Sequence, residues 1–416
     1  MREMKDSGTV WLGTIPANWD IARIGSFYRL RNTKVSDTDY PPLSVTNKGV
    51  VPQLETAAKT NAHDDRKLIK KGDFAINSRS DRRGSCGIAP CDGSVSLINT
   101  ILSPMGEMNP RYYDWLFHTI EFGDEFYKCG HGIVDDLWTT GWQDMKKILI
   151  PYPSLAEQEK IANFLDSKCS EIDAISAGIQ KEIEILEQYK RSVITEAVTK
   201  GLNPDVEMKD SGIEGVGNIP VHWDTIPIRY LFAECRLKNI LNQEKTALKF
   251  TYGTIIKKTN FDSDSDEYVA NTMTNYTVVY PGTIMINGLN LNYDFVSQRV
   301  GLVKDRGAIT SAYLAIVPGS RVVSEYANYQ LKSWDYAKAF HNMGTGVRKT
   351  LDFSELGKKY FVTPSIEEQS KIVAFLDSKC KEIEAIIASK KQQLTVIDSY
   401  KKSLIYEYVT GKKEVI

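Results

Sequence analysis

Residues 153–169 read PSLAEQEKIANFLDSKC, and residues 364–380 read PSIEEQSKIVAFLDSKC. Each stretch opens on Pro-Ser and sets a glutamate three residues after the serine, Ser154 with Glu157 and Ser365 with Glu368. In such a capping box the serine oxygen and the glutamate carboxylate satisfy orphan backbone donors of a helix's first turn. Each copy then continues for about 45 residues without proline and ends near a glycine, Gly201 or Gly411, where a left-handed cap is accessible. The copies stay alike to their ends, matching Tyr189 with Tyr400, Lys190 with Lys401, Ser192 with Ser403 and Glu196 with Glu407. Apolar residues recur at threes and fours: Ile172, Ile175, Ile179, Leu186, Tyr189 and Val193, then Ile383, Ile386, Leu394, Ile397, Tyr400 and Leu404. That spacing predicts a coiled-coil seam on two long helices.

A second repeat precedes each helix: MKDSGTVWLGTIPANWD at 4–20 and MKDSGIEGVGNIPVHWD at 208–224. The order is therefore domain, helix, domain, helix, with boundaries expected at 1–152, 153–207, 208–363 and 364–416. Joining the end, GKKEVI, to the start, MREMKDSG, would recreate a linker like the central KGLNPDVEMKDSG. The chain reads as a two-unit ring cut at one linker, a pseudo-twofold molecule with neighbouring termini. The interiors, about 25–150 and 229–362, share only a skeleton: KKGDFAINSRS parallels VYPGTIMINGLN, and CGHGIVDDLW parallels MGTGVRKTLD. Alternating β-branched runs predict strands, with short helices around YYDWLFHTI and EYANYQLKSW. The fold class expected is mixed α/β (α+β): two globular domains, each followed by a long helix.

The composition, 416 residues with 42% hydrophobic and 25% charged, is that of a multidomain globular chain. No apolar run approaches the ~20 residues of a membrane span, and the N-terminus lacks a signal-peptide core, so a cytoplasmic protein is expected. The six cysteines read as reduced, packed thiols, and the five histidines form no metal-ligand pair at i, i+4. A net charge of −1 does not advertise nucleic-acid binding, so any such contact must be local or shared with partners. There is no phosphate loop ending in Gly-Lys-Ser/Thr. NPRYYDW departs from the Asn-Pro-Pro-aromatic motif of adenine methyltransferases at Arg111, and Asp124, Glu125 and Lys128 read as a solvated helix face rather than a nuclease cluster. The chain is expected not to be an enzyme.

A repeated scaffold with divergent interiors suggests an adaptor reading two different things at a fixed separation. A helix of about 45 residues spans at most ~68 Å, about 20 base pairs of B-DNA. The chain resembles the specificity subunits of type I restriction-modification systems. The resemblance is carried by MKDSG…G.IP..W before each domain, by PSLAEQEKIANFLD and PSIEEQSKIVAFLD at the helix starts, and by ITEAVTKGLNPDVEMKDSG at the junction. It covers the whole chain; IEGVG at 213–217 departs where the family has an aromatic, as in VWLG at 10–13. It implies two target recognition domains for a bipartite, asymmetric DNA site and an antiparallel coiled coil that sets the spacer. The implied partners are double-stranded DNA, two methyltransferase subunits docked on the helices, and restriction subunits. No cofactor is expected in this chain; S-adenosylmethionine, ATP and magnesium would belong to the partners. The alternatives are a recognition subunit of a type IIB-like system and a scaffold binding two proteins rather than DNA.

Base readout needs donors and acceptors at base edges, with cations on phosphates. In the first domain the candidates are Asn77, Arg79, Ser80, Arg82 and Arg83 of NSRSDRRGS, with His131 in the glycine-bearing CGHG stretch. In the second they are Asn287, Asn290 and Asn292 of NGLNLNY, His341, Thr345, Arg348 and Lys349 near MGTGVRK, and Lys257 and Lys258 for phosphates. The glycines of the MGTG and CGHG stretches are expected to let backbone approach a phosphate or base. Trp138 and Trp142 are expected in the core.

Overall fold

The computed structural model describes residues 2–53, 63–79, 82–132, 138–213, 215–258, 273–292, 298–344 and 346–415. The chain divides into two compact units, residues 1–180 with 391–416, and residues 181–390. Each is a mixed α+β body whose described strand ladders are antiparallel.

In the first unit, β1 (Met4–Asp6) pairs with β2 (Thr14–Pro16), and β3 (Asp20–Arg23) is followed by β4 (Tyr28–Arg31) and β5 (Lys34–Val35). β6 (Leu43–Thr46) and β7 (Gly49–Pro52) form a hairpin, and β8 (Arg66–Ile69), β9 (Phe74–Asn77), β10 (Cys86–Ile88), β11 (Gly93–Ser96) and β12 (Asn99–Pro104) follow. The central sheet has the order β10-β9-β12-β4. Helices α1 (Pro110–Phe117), α2 (Ile120–Lys128) and α3 (Trp142–Met145) lead to β13 (Leu149–Tyr152), which pairs back to β3 and feeds α4 (Leu155–Lys200).

The second unit repeats this plan. β14 (Met208–Asp210) pairs with β15 (Asn218–Pro220); β16 (Asp224–Pro227), β17 (Phe232–Glu234), the hairpin β18 (Leu248–Thr251) with β19 (Thr254–Lys257), and β20 (Thr277–Val279) follow. Then come β21 (Ile284–Ile286), β22 (Val300–Leu302), β23 (Gly307–Ile309), β24 (Leu314–Pro318), α5 (Ser324–Tyr336), α6 (Phe353–Leu356), β25 (Tyr360–Thr363) and α7 (Ile366–Val409). The central order, β22-β21-β24-β17, is that of the first unit, and β25 pairs with β16 as β13 does with β3.

The repeated sequence blocks have identifiable tasks. Trp19 and Trp223, which close the two upstream repeats, are fully buried. Gly411 sits against Trp19 so tightly that a Cβ there would lie 2.4 Å from Pro16 and 2.8 Å from the indole; Gly201 meets Trp223 at 3.1 Å. Both glycines have positive φ, so one residue type serves helix termination and close packing. Trp11 packs edge-on against Phe122, whereas Gly215 occupies its place in the second unit with open space around it.

The capping boxes form only by half. Ser154 and Ser365 accept the N–H groups of Glu157 and Glu368 at 3.4 and 3.2 Å. The glutamate carboxylates turn outward instead, Glu157 to Arg2 and Glu368 to His222, because each finds a basic group there. The neighbouring glutamines do the deeper work. Gln158 is fully buried, accepts the Asn109 N–H that begins α1 at 2.8 Å, and donates to Pro153 O at 2.9 Å. Gln369 does the same with the Val323 N–H before α5 and with Pro364 O and Arg321 O.

Each unit contains an antiparallel helix pair. In the first, Phe164 packs against Tyr408 with ring centroids 4.4 Å apart and planes tilted by 36°, and Asp173 pairs with Lys401 at 2.6 Å. In the second, Glu182 pairs with Lys390 at 2.6 Å and Lys190 with Glu384. The three-four alternation holds, but the seam runs one residue away from several predicted positions. On α4 it follows Ile172, Ser176, Ile179, Ile183, Leu186 and Lys190; on α7, Ile383, Ile387, Lys390, Leu394, Ile397, Lys401 and Leu404. The lysines lay their methylene stems along the seam and carry the ammonium to an acid across it. Ile175 (56% exposed) and Tyr189 (49%), with their counterparts Ile386 and Tyr400, therefore face outward, contrary to the expectation from residue type alone.

Candidate nucleic-acid interface

The same two loops meet in both units. In the first, the loop after β9 is joined to the segment before α3: Thr140 N–H donates to Ser78 O at 2.9 Å, and Arg79 bridges Thr139. His131 and Thr139 exchange both backbone hydrogen bonds, at 2.9 and 3.0 Å. In the second, Leu351 N–H donates to Gly288 O at 2.9 Å and Leu291 N–H to Lys349 O at 3.1 Å. The two stretches paired by sequence likeness in each domain are thus neighbours in space.

Within that frame the candidates have different occupations. Asn77 is buried, and Asn287 half-buried; each uses its side-chain oxygen on the N–H two residues on, Arg79 at 3.1 Å and Leu289 at 3.2 Å. These are Asx turns that shape the loop. Arg83 pairs with Asp124 at 2.7 Å and lies over the Tyr127 ring at 4.1 Å, so it ties the loop to α2. Arg82 is exposed. Arg79 is exposed and forms no ion pair among the described residues. It borders an open cleft of about 380 Å³ that Asn32, Lys67, Thr100 and Trp142 also line. Lys67 donates to Asn99 O at 2.8 Å, and burial lowers its pKa. Asn32 and Lys67 were not singled out in the sequence; Asn32 follows β4, which shares the central sheet with β9, and Lys67 lies on β8, shortly before the loop. His131 Nε2 is 3.3 Å from Asp144, whose carboxyl is held below the usual range by Lys147 first and by His131. Ser80 and Thr345 lie outside the described residues.

In the second unit Asn290 and Arg348 are exposed, and Asn292 donates from Nδ2 to Val347 O at 3.3 Å. Lys349 Nζ reaches His341 O at 3.4 Å. Lys257 stands apart on the β18–β19 hairpin, paired with Asp305 at 2.8 Å, and Lys258 donates its N–H to Ala247 O. A Cβ on Gly130 would strike Trp138 and Thr140, and one on Gly344 would lie 2.8 Å from Thr350 O, so both are needed for internal packing; Gly346 is open. Trp138 is half-buried against Tyr127, and Trp142 is half-buried at the cleft.

The discounted catalytic stretches have structural occupations. Asn109 caps α1, Tyr112 and Tyr113 are core, and Arg111 pairs with Asp166. Among the described residues no cluster of His, Cys, Asp or Glu could hold a metal ion, and no helix is long and apolar enough to cross a membrane.

Two α+β units with matched ladders, each holding an antiparallel pair of segments from the long helices, define a class of duplicated, helix-braced chains. No family model matches the sequence. The chain is 23% identical over 436 residues to the type I restriction enzyme MjaVIII specificity subunit of Methanocaldococcus jannaschii, covering 96% of this chain and 94% of that protein. Its fold is similar to a chain solved in work on complex assembly and conformational transition of the type I R-M system (TM-score 0.70, 13% identity, 96% and 99% of the two chains). It is similar too to the HsdS subunit from Thermoanaerobacter tengcongensis (TM-score 0.50, 15% identity, 96% and 98%). The resemblance to type I specificity subunits read from the sequence is borne out.

Proposed function

We propose that the chain is the non-catalytic DNA-specificity subunit of a type I restriction-modification system. Each unit reads one half of a bipartite, asymmetric target, and the long helices set the unspecified spacer. The observation that carries this reading is the pair of joined loops, built on one backbone plan in both units but furnished differently: Arg79, Arg82 and His131 in the first, Asn290, Asn292, Arg348 and Lys349 in the second. The same plan supplies the same approach to a duplex, and the different side chains supply different base preferences.

The helices support partners in two copies. Ile175, Ile185 and Tyr189 on α4, and Ile386, Val396 and Tyr400 on α7, are matched positions that are all apolar or aromatic and exposed. A duplicated apolar surface suits two identical subunits, here methyltransferases carrying S-adenosylmethionine, with restriction subunits supplying ATP- and magnesium-dependent work.

The test is to express the chain with its adjacent methyltransferase in an unmethylated host and map modified adenines by single-molecule sequencing. A two-part motif with a fixed gap, lost when this chain is omitted, is the expected result. No new methylation despite an active partner and soluble chain would turn the reading toward a protein scaffold.

A further inference from the structure

Arg299, immediately before β22, is completely buried. A buried guanidinium is unfavourable unless its charge is compensated and its N–H groups are used. Nη1 donates to Asn287 O and Leu289 O, both at 2.9 Å, and Nη2 to Asn290 O at 3.4 Å. The backbone N–H donates to Asp335 Oδ2 on α5 at 2.7 Å, which places a carboxylate beside the residue. Burial pushes that carboxyl's pKa up, and the Arg299 N–H and charge oppose the shift.

One cation therefore gathers three carbonyls of a single loop. Within that loop Asn290 sits in the left-handed region, φ +50°, which asparagine tolerates better than most residues. The loop in turn braces its neighbour through Leu291 to Lys349, Leu351 to Gly288 and Asn292 to Val347. The braced tip presents Val347, 91% exposed, next to Arg348. In the first unit a serine stands at the corresponding position: Asn77 N–H meets Ser85 O where Asn287 N–H meets Arg299 O.

We propose that Arg299 is a positioning residue for base recognition by the second unit, fixing Asn287–Asn290 and, through the joined loop, the Val347–Arg348 tip. This rests on the DNA-reading function above. Asn290 offers an amide edge, Val347 an apolar contact for a thymine methyl, and Arg348 a cation for guanine or phosphate. All three depend on a residue that touches no base. A planar guanidinium can span several carbonyls; the point charge of lysine reproduces only part of that.

The experiment maps methylated adenines for the full chain with its methyltransferase, comparing wild type with Arg299→Met, Arg299→Lys and Asn292→Ala. Exchange of residues 208–363 for another such domain assigns the second unit's half-site. Arg299→Met should relax discrimination in that half by about tenfold or more. Arg299→Lys should relax it less, and Asn292→Ala should relax the same positions, with the other half and the spacer unchanged. Unchanged preferences, or lower methylation at all sites with the same preferences, overturn the positioning role and leave the DNA reading intact. If Arg299→Met is not recovered in soluble form, Arg299→Lys decides by the same criterion. A wild type that yields no motif with an active partner overturns the DNA reading, and the positioning role with it.

Discussion

Gln158 and Gln369 show how a repeated side chain can join two helices at their starts. Each takes an N–H that begins a domain helix and returns a donor to the carbonyl of its own cap proline. Replacing either with leucine keeps much of the volume but strands a buried donor and acceptor. A loss of about 1–3 kcal/mol is expected, measured by denaturant unfolding. Asp352 caps α6 beside the braced loop: its Oδ1 accepts the Glu355 N–H at 2.9 Å and the Ser354 hydroxyl at 2.7 Å. The Ser354 bond first, then the Glu355 N–H, hold its carboxyl below the usual range. A depressed folded pKa contributes stability above the ordinary carboxylate range and loses it as pH falls through the lowered value. Asp352→Ala should therefore cost about 1 kcal/mol or less at neutral pH, given its exposure, and the difference from wild type should vanish in acid unfolding titrations. The serine caps and the helix-terminal glycines were legible in the sequence because local chemistry assigns them. Arg299 was not: a buried arginine and a solvated one are written alike, and the carbonyls it gathers are visible only in the folded backbone.

The long helices were legible from their starts, stops and period, but their seam was not fully so. Counting apolar residues selected Ile175, Tyr189, Ile386 and Tyr400, whereas the packed seam follows phase and admits Lys190, Lys390 and Lys401. Tyr189→Glu with Tyr400→Glu should leave the unfolding midpoint of the chain nearly unchanged and abolish co-purification with the methyltransferase. If the helices are a ruler, deleting two turns from each removes ~10 Å, about three base pairs. The methylated motif should show a shorter gap or no methylation at all, with both half-sites unaltered; altered half-sites would contradict the ruler. The domain interiors were harder to read because their ladders join segments distant in the chain, as where Asn32 and Arg79 come to border one cleft.

At the scale of the molecule, a net charge of −1 leaves little general attraction for DNA. The isolated chain should bind its target weakly, and the complex with partners should bind far more tightly with a steep salt dependence, both checked by titration at several ionic strengths. Specific nanomolar binding by the isolated chain would contradict this. The two loops are also held differently. Arg83 and Asp124, both about half exposed, tie the first to α2, while the second rests on the buried Arg299. Screening acts on the first and hardly on the second.

Residues 391–416 belong to the same unit as residues 1–180, and Leu404, Ile405 and Val409 lie in its core. Order of synthesis and order of completion are therefore opposed. The first domain to leave the ribosome waits for roughly 200 further residues, some 10–40 s of translation, before its last core side chains exist. The second unit draws only on residues 181–390 and can close first. During that interval the nascent first domain carries an uncovered apolar face, so chaperone engagement and the damage from a late stop codon should both fall on the N-terminal half of the protein.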